Sequence, residues 1–141
     1  MKPTYVDADI LISAAKGTET FSEPALEVLD DPARSFVCSD YVKLEVLPNA
    51  TFFERTDIVA FYEAFFETVE HWVSPSPELS ARALELACRY GLGAMDALHV
   101  AAAEMADAEL VTAEKPTKPM LRVGSGRVTS IRSSIETEED S

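Results

Sequence analysis

Hydrophobic and polar positions along this chain fall into short blocks whose period switches repeatedly. PTYVD, residues 3–7, is a brief apolar run that reads as a buried strand, and DILISAAKG after it reads as a helix ending at Gly17. Ser22 is placed to cap a helix through Leu29, with Pro24 tolerated in its first turn. SFVCS, residues 35–39, predicts a second strand, and SDYVKLEVLP predicts a helix capped by Ser39 or Asp40 and stopped near Pro48. Ile58, Phe61, Tyr62, Phe65 and Phe66 recur at helical spacing and predict an amphipathic helix from about Glu54 to Thr68. VEHWV predicts a third strand. Ser76-Pro77 opens a further helix with Leu79, Ala83, Leu86, Ala87 and Tyr90 on one face and Gly91 as its stop. From Ala94 to Ala106 the chain reads as a helix apolar almost all round, with Asp96 in its first turn and His99 one turn further on. ELVT and a segment near RVTSI supply the last two strands.

Short apolar strands alternating with helices predict an α/β fold, a mainly parallel sheet with helices on both faces. In such sheets sites form outside the carboxyl ends of the strands. A chain of 141 residues predicts one domain, here residues 1–133, followed by an acidic tail at 134–141 (ending IETEEDS) expected to lack order. No apolar run approaches ~18 residues, so no membrane span is expected. Asp7 and Asp9 interrupt any secretory h-region, and the chain is expected to be cytoplasmic. Cys38 and Cys88 read as two buried thiols rather than a disulfide or a metal motif.

The net charge of -13 excludes grip on nucleic acid through a broad basic surface, since phosphate would be repelled. Only five lysines and seven arginines are available; Lys16, Lys43 and Lys115 are candidates near a site. A short single-stranded or looped RNA, with a few bases splayed out, suits such a surface better than a duplex. The acids themselves carry the chemistry. Asp7 follows the first strand, Glu45 rides on the helix after the second, Asp96 opens the apolar helix, and Glu114 follows Thr112 just past ELVT. Each has a duller reading. Asp96 complements a helix dipole, worth ~0.3–1 kcal/mol. Asp9 caps the first helix, Glu45 pairs with Lys43 or Arg34, and Glu114 is a loop charge beside Lys115. His99 reads as a hydrogen-bonded core histidine. Thr112 either closes its strand or offers its hydroxyl to a carboxylate or a substrate phosphate. The joint pattern says more than any member of it. Two like charges 4 Å apart repel by about 4 kcal/mol at an effective dielectric of 20. Four acids at one sheet edge therefore call for cations, and hard oxygen donors suit Mg²⁺ or Mn²⁺. A pair of such ions can drive phosphodiester hydrolysis.

With these segments in view, the chain resembles the PIN domain family, and within it the small VapC-like toxins of prokaryotic toxin–antitoxin systems. YVDADILISA resembles the opening strand with its first aspartate, SDYVKLEVLP the segment that supplies a glutamate, and GAMDALHVAAAEMADAELVTAEK the second aspartate, the small-residue helix and the last strand with its terminal acid. The likeness runs over roughly residues 3–130. It implies a PIN-like three-layer α/β/α sandwich and a Mg²⁺- or Mn²⁺-dependent ribonuclease with Asp7, Glu45, Asp96 and Glu114 as its catalytic, metal-holding residues. It also implies an RNA substrate, a neutralising antitoxin and a homodimer. Three features depart from the family pattern: Asp9 stands where asparagine or a small polar residue is usual, Glu114 where aspartate is usual, and Lys115-Pro116 replaces the usual continuation. Two rivals remain. One is a non-catalytic PIN-fold binding module. The other, carried by the DADIL segment, is an Asp-x-Asp phosphatase, for which the later lysine and acid pair fit poorly.

Overall fold

The apolar runs are strands of one parallel sheet, and the periodic segments between them are helices. The computed structural model describes residues 1–17, 20–124 and 126–132; the acidic tail expected at 134–141, with its boundary after residue 133, lies outside the described residues. Strands β1 (Lys2–Val6), β2 (Arg34–Ser39), β3 (His71–Val73), β4 (Glu109–Thr112) and β5 (Val128–Ser130) lie in the order β3-β2-β1-β4-β5, every neighbouring pair parallel. The helices are α1 (Ala8–Lys16), α2 (Ser22–Leu29), α3 (Asp40–Phe52), α4 (Thr56–Thr68), α5 (Pro77–Tyr90) and α6 (Ala94–Met105). The chain steps from β1 outward to β3, then returns across the sheet to β4 and β5. With the right-handed crossovers that parallel strands adopt, this order puts the helices of the two legs on opposite faces, in keeping with the expected α/β/α sandwich. No described helix is long and apolar enough to cross a membrane.

The middle of the sheet is the driest part of the molecule. Tyr5, Val6, Ile10, Leu11, Leu110 and Val100 have no measurable exposure. Helix α6 is buried as its composition implies, with Ala97, His99, Val100 and Ala101–Ala103 all inside. Tyr62, Phe65 and Phe66 of α4 pack inward as the periodicity predicts, and the Phe36 and Phe65 rings meet edge to face. Gly17 and Gly91 stop their helices as expected, each at φ 69°. Ser76 caps α5 by accepting the Leu79 N–H at 3.1 Å.

Several expectations need correction. Helix α3 does not stop at Pro48 but runs on to Phe52. Proline removes only the bond to the carbonyl of exposed Leu44, while buried Val46 and Ala50 hold the helix on either side. Helix α4 starts at Thr56 rather than Glu54, because Glu54 sits in the left-handed region at φ 55°. There it closes α3: the Arg55 N–H bonds Ala50 and the Glu54 N–H bonds Thr51, the paired bonds of a Schellman turn that usually employs glycine. Glu54→Gly should therefore raise stability by about 1 kcal/mol, a few degrees in Tm by thermal melt; an unchanged or lower Tm would show that Glu54 carries no strain. Ser22 does not cap α2 but is its first residue, following Phe21. The third strand is confined to His71–Val73, shorter than VEHWV. Cys38 is buried as expected, but Cys88 is exposed, since it falls on the outer face of α5. A 3₁₀ turn at Pro119–Val123, which burial of Met120 anchors, had no clear signal in the sequence.

Candidate active site

The strand order reverses between β1 and β4, and in sheets of this kind a crevice forms at the carboxyl ends of the strands at such a switch point. Val6 and Val111 are register partners, so Asp7 and Thr112 emerge side by side; the Asp7 N–H donates to the Val111 carbonyl at 2.9 Å. Asp7 is 5% exposed and is the residue that caps α1, its Oδ1 accepting the Ala8 N–H at 2.8 Å. The cap expected of Asp9 thus belongs to Asp7. Asp9 instead reaches across the crevice, accepting the Ala113 N–H at 2.9 Å. The Thr112 hydroxyl lies 3.0 Å from Asp7 Oδ2 and 3.1 Å from Asp9 Oδ2. It has one hydrogen for two carboxylates, so it can satisfy only one of them at a time. Thr112 Oγ1 also accepts the Glu114 N–H at 3.1 Å, which ties the turn carrying Glu114 to both aspartates.

Glu45 enters from α3 and His99 from α6. The Glu45 carboxylate is hydrogen-bonded to His99 Nε2, and Asp7 Oδ1 lies 3.9 Å from the same nitrogen. One donor atom from each of Asp7, Glu45 and His99 falls within 4.8 Å of the others. Asp96 stands in the first turn of α6, half-buried, where its charge acts on that of His99, Glu114, Glu45 and Lys118. Glu114 is partly buried just past β4 and adds to the negative field at both Asp9 and Asp96. Glu45 is bonded to neither Lys43 nor Arg34. The Lys43 ammonium lies over the Trp72 and Phe66 rings, 4.5 Å and 5.4 Å from their centroids, and Arg34 pairs with Glu109 and Asp31.

Burial and mutual repulsion dominate the electrostatics. Burial pushes the Asp7 carboxyl up to about 6, against the opposing pull of His99 and the Thr112 hydroxyl. Burial, then the neighbouring Asp7, pushes Asp9 up to about 7. Burial also raises Asp96, with Glu114 and Glu45 adding to it. Burial pulls His99 down, but the carboxylates of Glu45, Asp7 and Asp96 outweigh it and leave the imidazole raised. Each of these groups has a folded-state pKa above its ordinary value. The stability the carboxyls lend is therefore full below about pH 4, is lost progressively as pH rises, and is gone above the folded values of about 6 to 7. For Asp7 the loss is on the order of 3 kcal/mol. The lowered Glu109 titrates below this window and does not mask it. Metal-free protein should melt progressively lower from pH 5 to pH 8, and saturating Mn²⁺ should reverse the trend, because ligation needs the deprotonated carboxylates. Melting curves in EDTA and in Mn²⁺ across that range would check this; a Tm that rises with pH in EDTA would contradict it.

Of the four acids singled out in the sequence, Asp7 and Glu45 come together around His99, while Asp96 and Glu114 join them through the action of their charges rather than by a direct bond. Asp9, His99, Tyr5 and Lys118 join this group without having been assigned to it. His99 is the hydrogen-bonded core histidine expected, but its outer nitrogen faces the acids. Asp9 could have been found from its alternation with Asp7; Lys118 carried no signal.

Over residues 4–116 the chain matches the family model described as PIN domain. No curated protein matches it in sequence. Among solved structures it is similar to VapBC2 from Rickettsia felis bound to a DNA fragment from its promoter (TM-score 0.68, 16% identity, 91% of this chain and 98% of that one). It is also similar to a toxin–antitoxin complex from Klebsiella pneumoniae (TM-score 0.68, 23% identity, 91% and 97%). A third similar structure is the VapC20 toxin of Mycobacterium tuberculosis, described as cleaving the sarcin–ricin loop (TM-score 0.65, 16% identity, 86% and 95%). At these identities the likeness shows the fold.

Proposed function

This chain belongs to the PIN domain family, and on that footing we propose that it is a metal-dependent endoribonuclease, the toxin of a toxin–antitoxin pair. The observation that carries the reading is the convergence of acids at the β1–β4 switch point, raised in pKa by burial and facing too little positive charge. The donor chemistry fits a hard divalent cation, Mg²⁺ or Mn²⁺: carboxylate oxygens from separate elements, aimed at one crevice. Asp7, Glu45, Asp96 and Glu114 are the residues proposed to hold it. Bound there, such an ion supplies positive charge and Lewis acidity for hydrolysis of a phosphodiester.

The chain's own residues shape the rest. The Thr112 hydroxyl orients Asp7, whose other oxygen is fixed on the Ala8 N–H. Asp9 anchors the Ala113 amide and so sets where Glu114 leaves the sheet. Lys118, whose charge acts on Asp96, offers a cation for an RNA phosphate at the rim. A looped or single-stranded RNA remains the substrate class that suits the acidic surface. For protein partners, an antitoxin and a second copy of the chain, exposed Leu44 and Phe52 on α3 and Phe53 just past it offer apolar contact area. The two phenylalanine rings meet edge to face, 5.0 Å between centroids. The phosphatase reading is the less favoured, since Asp9 accepts the Ala113 N–H and shares the Thr112 hydroxyl with Asp7.

The test is incubation of total cellular RNA with purified, partner-free protein in Mg²⁺, Mn²⁺ or EDTA, with new ends mapped by sequencing. Discrete ends that require metal are expected. Absence of new ends from folded protein in either metal would favour the binding-only reading, with Glu114 the first position to revert to aspartate.

A further inference from the structure

Glu45 poses a problem that its own helix does not solve. Its side chain is one-third exposed, has three rotatable bonds, and sits on α3 beside exposed Leu44. A ligand so placed needs an external brace. The structure holds one on the dry side of the site. His99 is fully buried on α6, its Nε2 against the Glu45 carboxylate and its Nδ1 2.7 Å from the Tyr5 hydroxyl. Tyr5 is fully buried on the central strand, and its hydroxyl lies 2.6 Å from Ser39 Oγ. Ser39 precedes α3 in the position of an N-cap yet makes no side-chain cap bond; its hydroxyl serves Tyr5 instead.

The donors and acceptors in this row can be counted. A carboxylate only accepts, so the nitrogen facing Glu45 must carry a hydrogen. If the imidazole is neutral, Nδ1 is then a lone pair, Tyr5 donates to it, and Ser39 donates to Tyr5. If it is an imidazolium, Nδ1 donates to Tyr5, and Tyr5 donates to Ser39. Both arrangements place an N–H on the Glu45 side, and neither leaves Nε2 free to ligate a cation. We propose that His99 is a positioning residue for Glu45, held in its working tautomer by Tyr5 and Ser39, and that it acts on the metal through Glu45 rather than as a ligand. This rests on the reading of the acids as a divalent-cation site. Partners of metal ligands at this remove typically change affinity 10- to 100-fold.

The experiment is Mn²⁺ titration calorimetry at pH 8 on a double-mutant cycle, with circular dichroism to confirm folding. His99→Leu should weaken Mn²⁺ binding about 10- to 100-fold in the wild-type background, but by less than about threefold once Glu45→Gln is present. His99→Gln, which keeps an N–H toward Glu45, should restore affinity to within about threefold. Equal losses in both backgrounds would make His99 a ligand and overturn the proposal, as would unchanged affinity in folded His99→Leu. Should His99→Leu fail to fold, Tyr5→Phe replaces it. That variant deletes only the hydroxyl and should weaken Mn²⁺ binding through Glu45 alone; full affinity would count against the brace. Long-range ¹H–¹⁵N NMR of the metal-free protein judges the geometry even if the wild type takes up no Mn²⁺. A proton on Nε2 is expected, and a bare Nε2 opposite a protonated Nδ1 would overturn the inference. Absence of Mn²⁺ uptake together with the expected tautomer would instead count against the metal-site reading.

Discussion

Asp96→Asn is expected to cut metal-dependent RNA cleavage by roughly 10²- to 10³-fold, the scale seen when one well-placed electrostatic group is removed from an active site. The substitution keeps size and shape, so what changes is one negative charge at the mouth of α6. That charge lies among those of Glu45, Glu114 and His99, and it is half-buried, which gives it little competition from water for a cation. The alternative role for Asp96, complementing the helix dipole, predicts a different result. It would cost ~0.3–1 kcal/mol of stability and leave the rate alone. Single-turnover cleavage and thermal melts on the same preparation separate the two. A wild-type rate with a slightly lowered Tm would reduce Asp96 to a helix-end charge.

Asp7→Asn should do two opposite things. It should abolish Mn²⁺ binding and cleavage, and it should make the metal-free protein more stable at pH 8. Asp7 is almost fully buried, and burial holds its carboxyl up to about 6, so at pH 8 the fold carries a charge that its surroundings disfavour. Asparagine can still accept the Ala8 N–H and can offer its amide to Thr112, so the cap and the strand-end contact survive. The expected gain in EDTA is about 1–3 kcal/mol, several degrees in Tm. In Mn²⁺ the order reverses, because only the wild type gains ligand-linked stability. A variant less stable than wild type in EDTA, or one that Mn²⁺ still stabilises, would contradict the account. Stability given up at a functional crevice is what a metal site predicts and what a simple helix cap does not.

How much of this was visible in the sequence depends on the range of the interaction. The sheet and its helices were legible because period and stop signals are local: Gly17, Gly91 and Ser76 act as composition predicts. Asp7, Asp96 and Glu114 stood out because each follows a strand or opens a buried helix, and Glu45 because it rides among apolar neighbours on the helix after β2; a parallel sheet tends to gather such positions at one edge. Pro48 misled because a rule for isolated helices ignores the anchoring of Val46 and Ala50. Glu54 misled because a left-handed turn residue other than glycine has no sequence signature. Asp9 and His99 were underread for a related reason. Asp9 looks like a cap until the pairing of β1 with β4 brings the start of α1 beside the end of β4, where Asp9 accepts the Ala113 N–H. His99 looks like core until α3 brings Glu45 to its outer nitrogen. Both contacts join segments far apart in the chain, and only the packed sandwich reveals them.

The most direct test of the central claim is an anomalous difference map from crystals grown at pH 8 with saturating Mn²⁺. The account predicts a peak bounded by the carboxylates of Asp7, Glu45 and Asp96 at the carboxyl ends of β1 and β4. Density free of any peak there, or a peak confined to other acids on the surface, would contradict it.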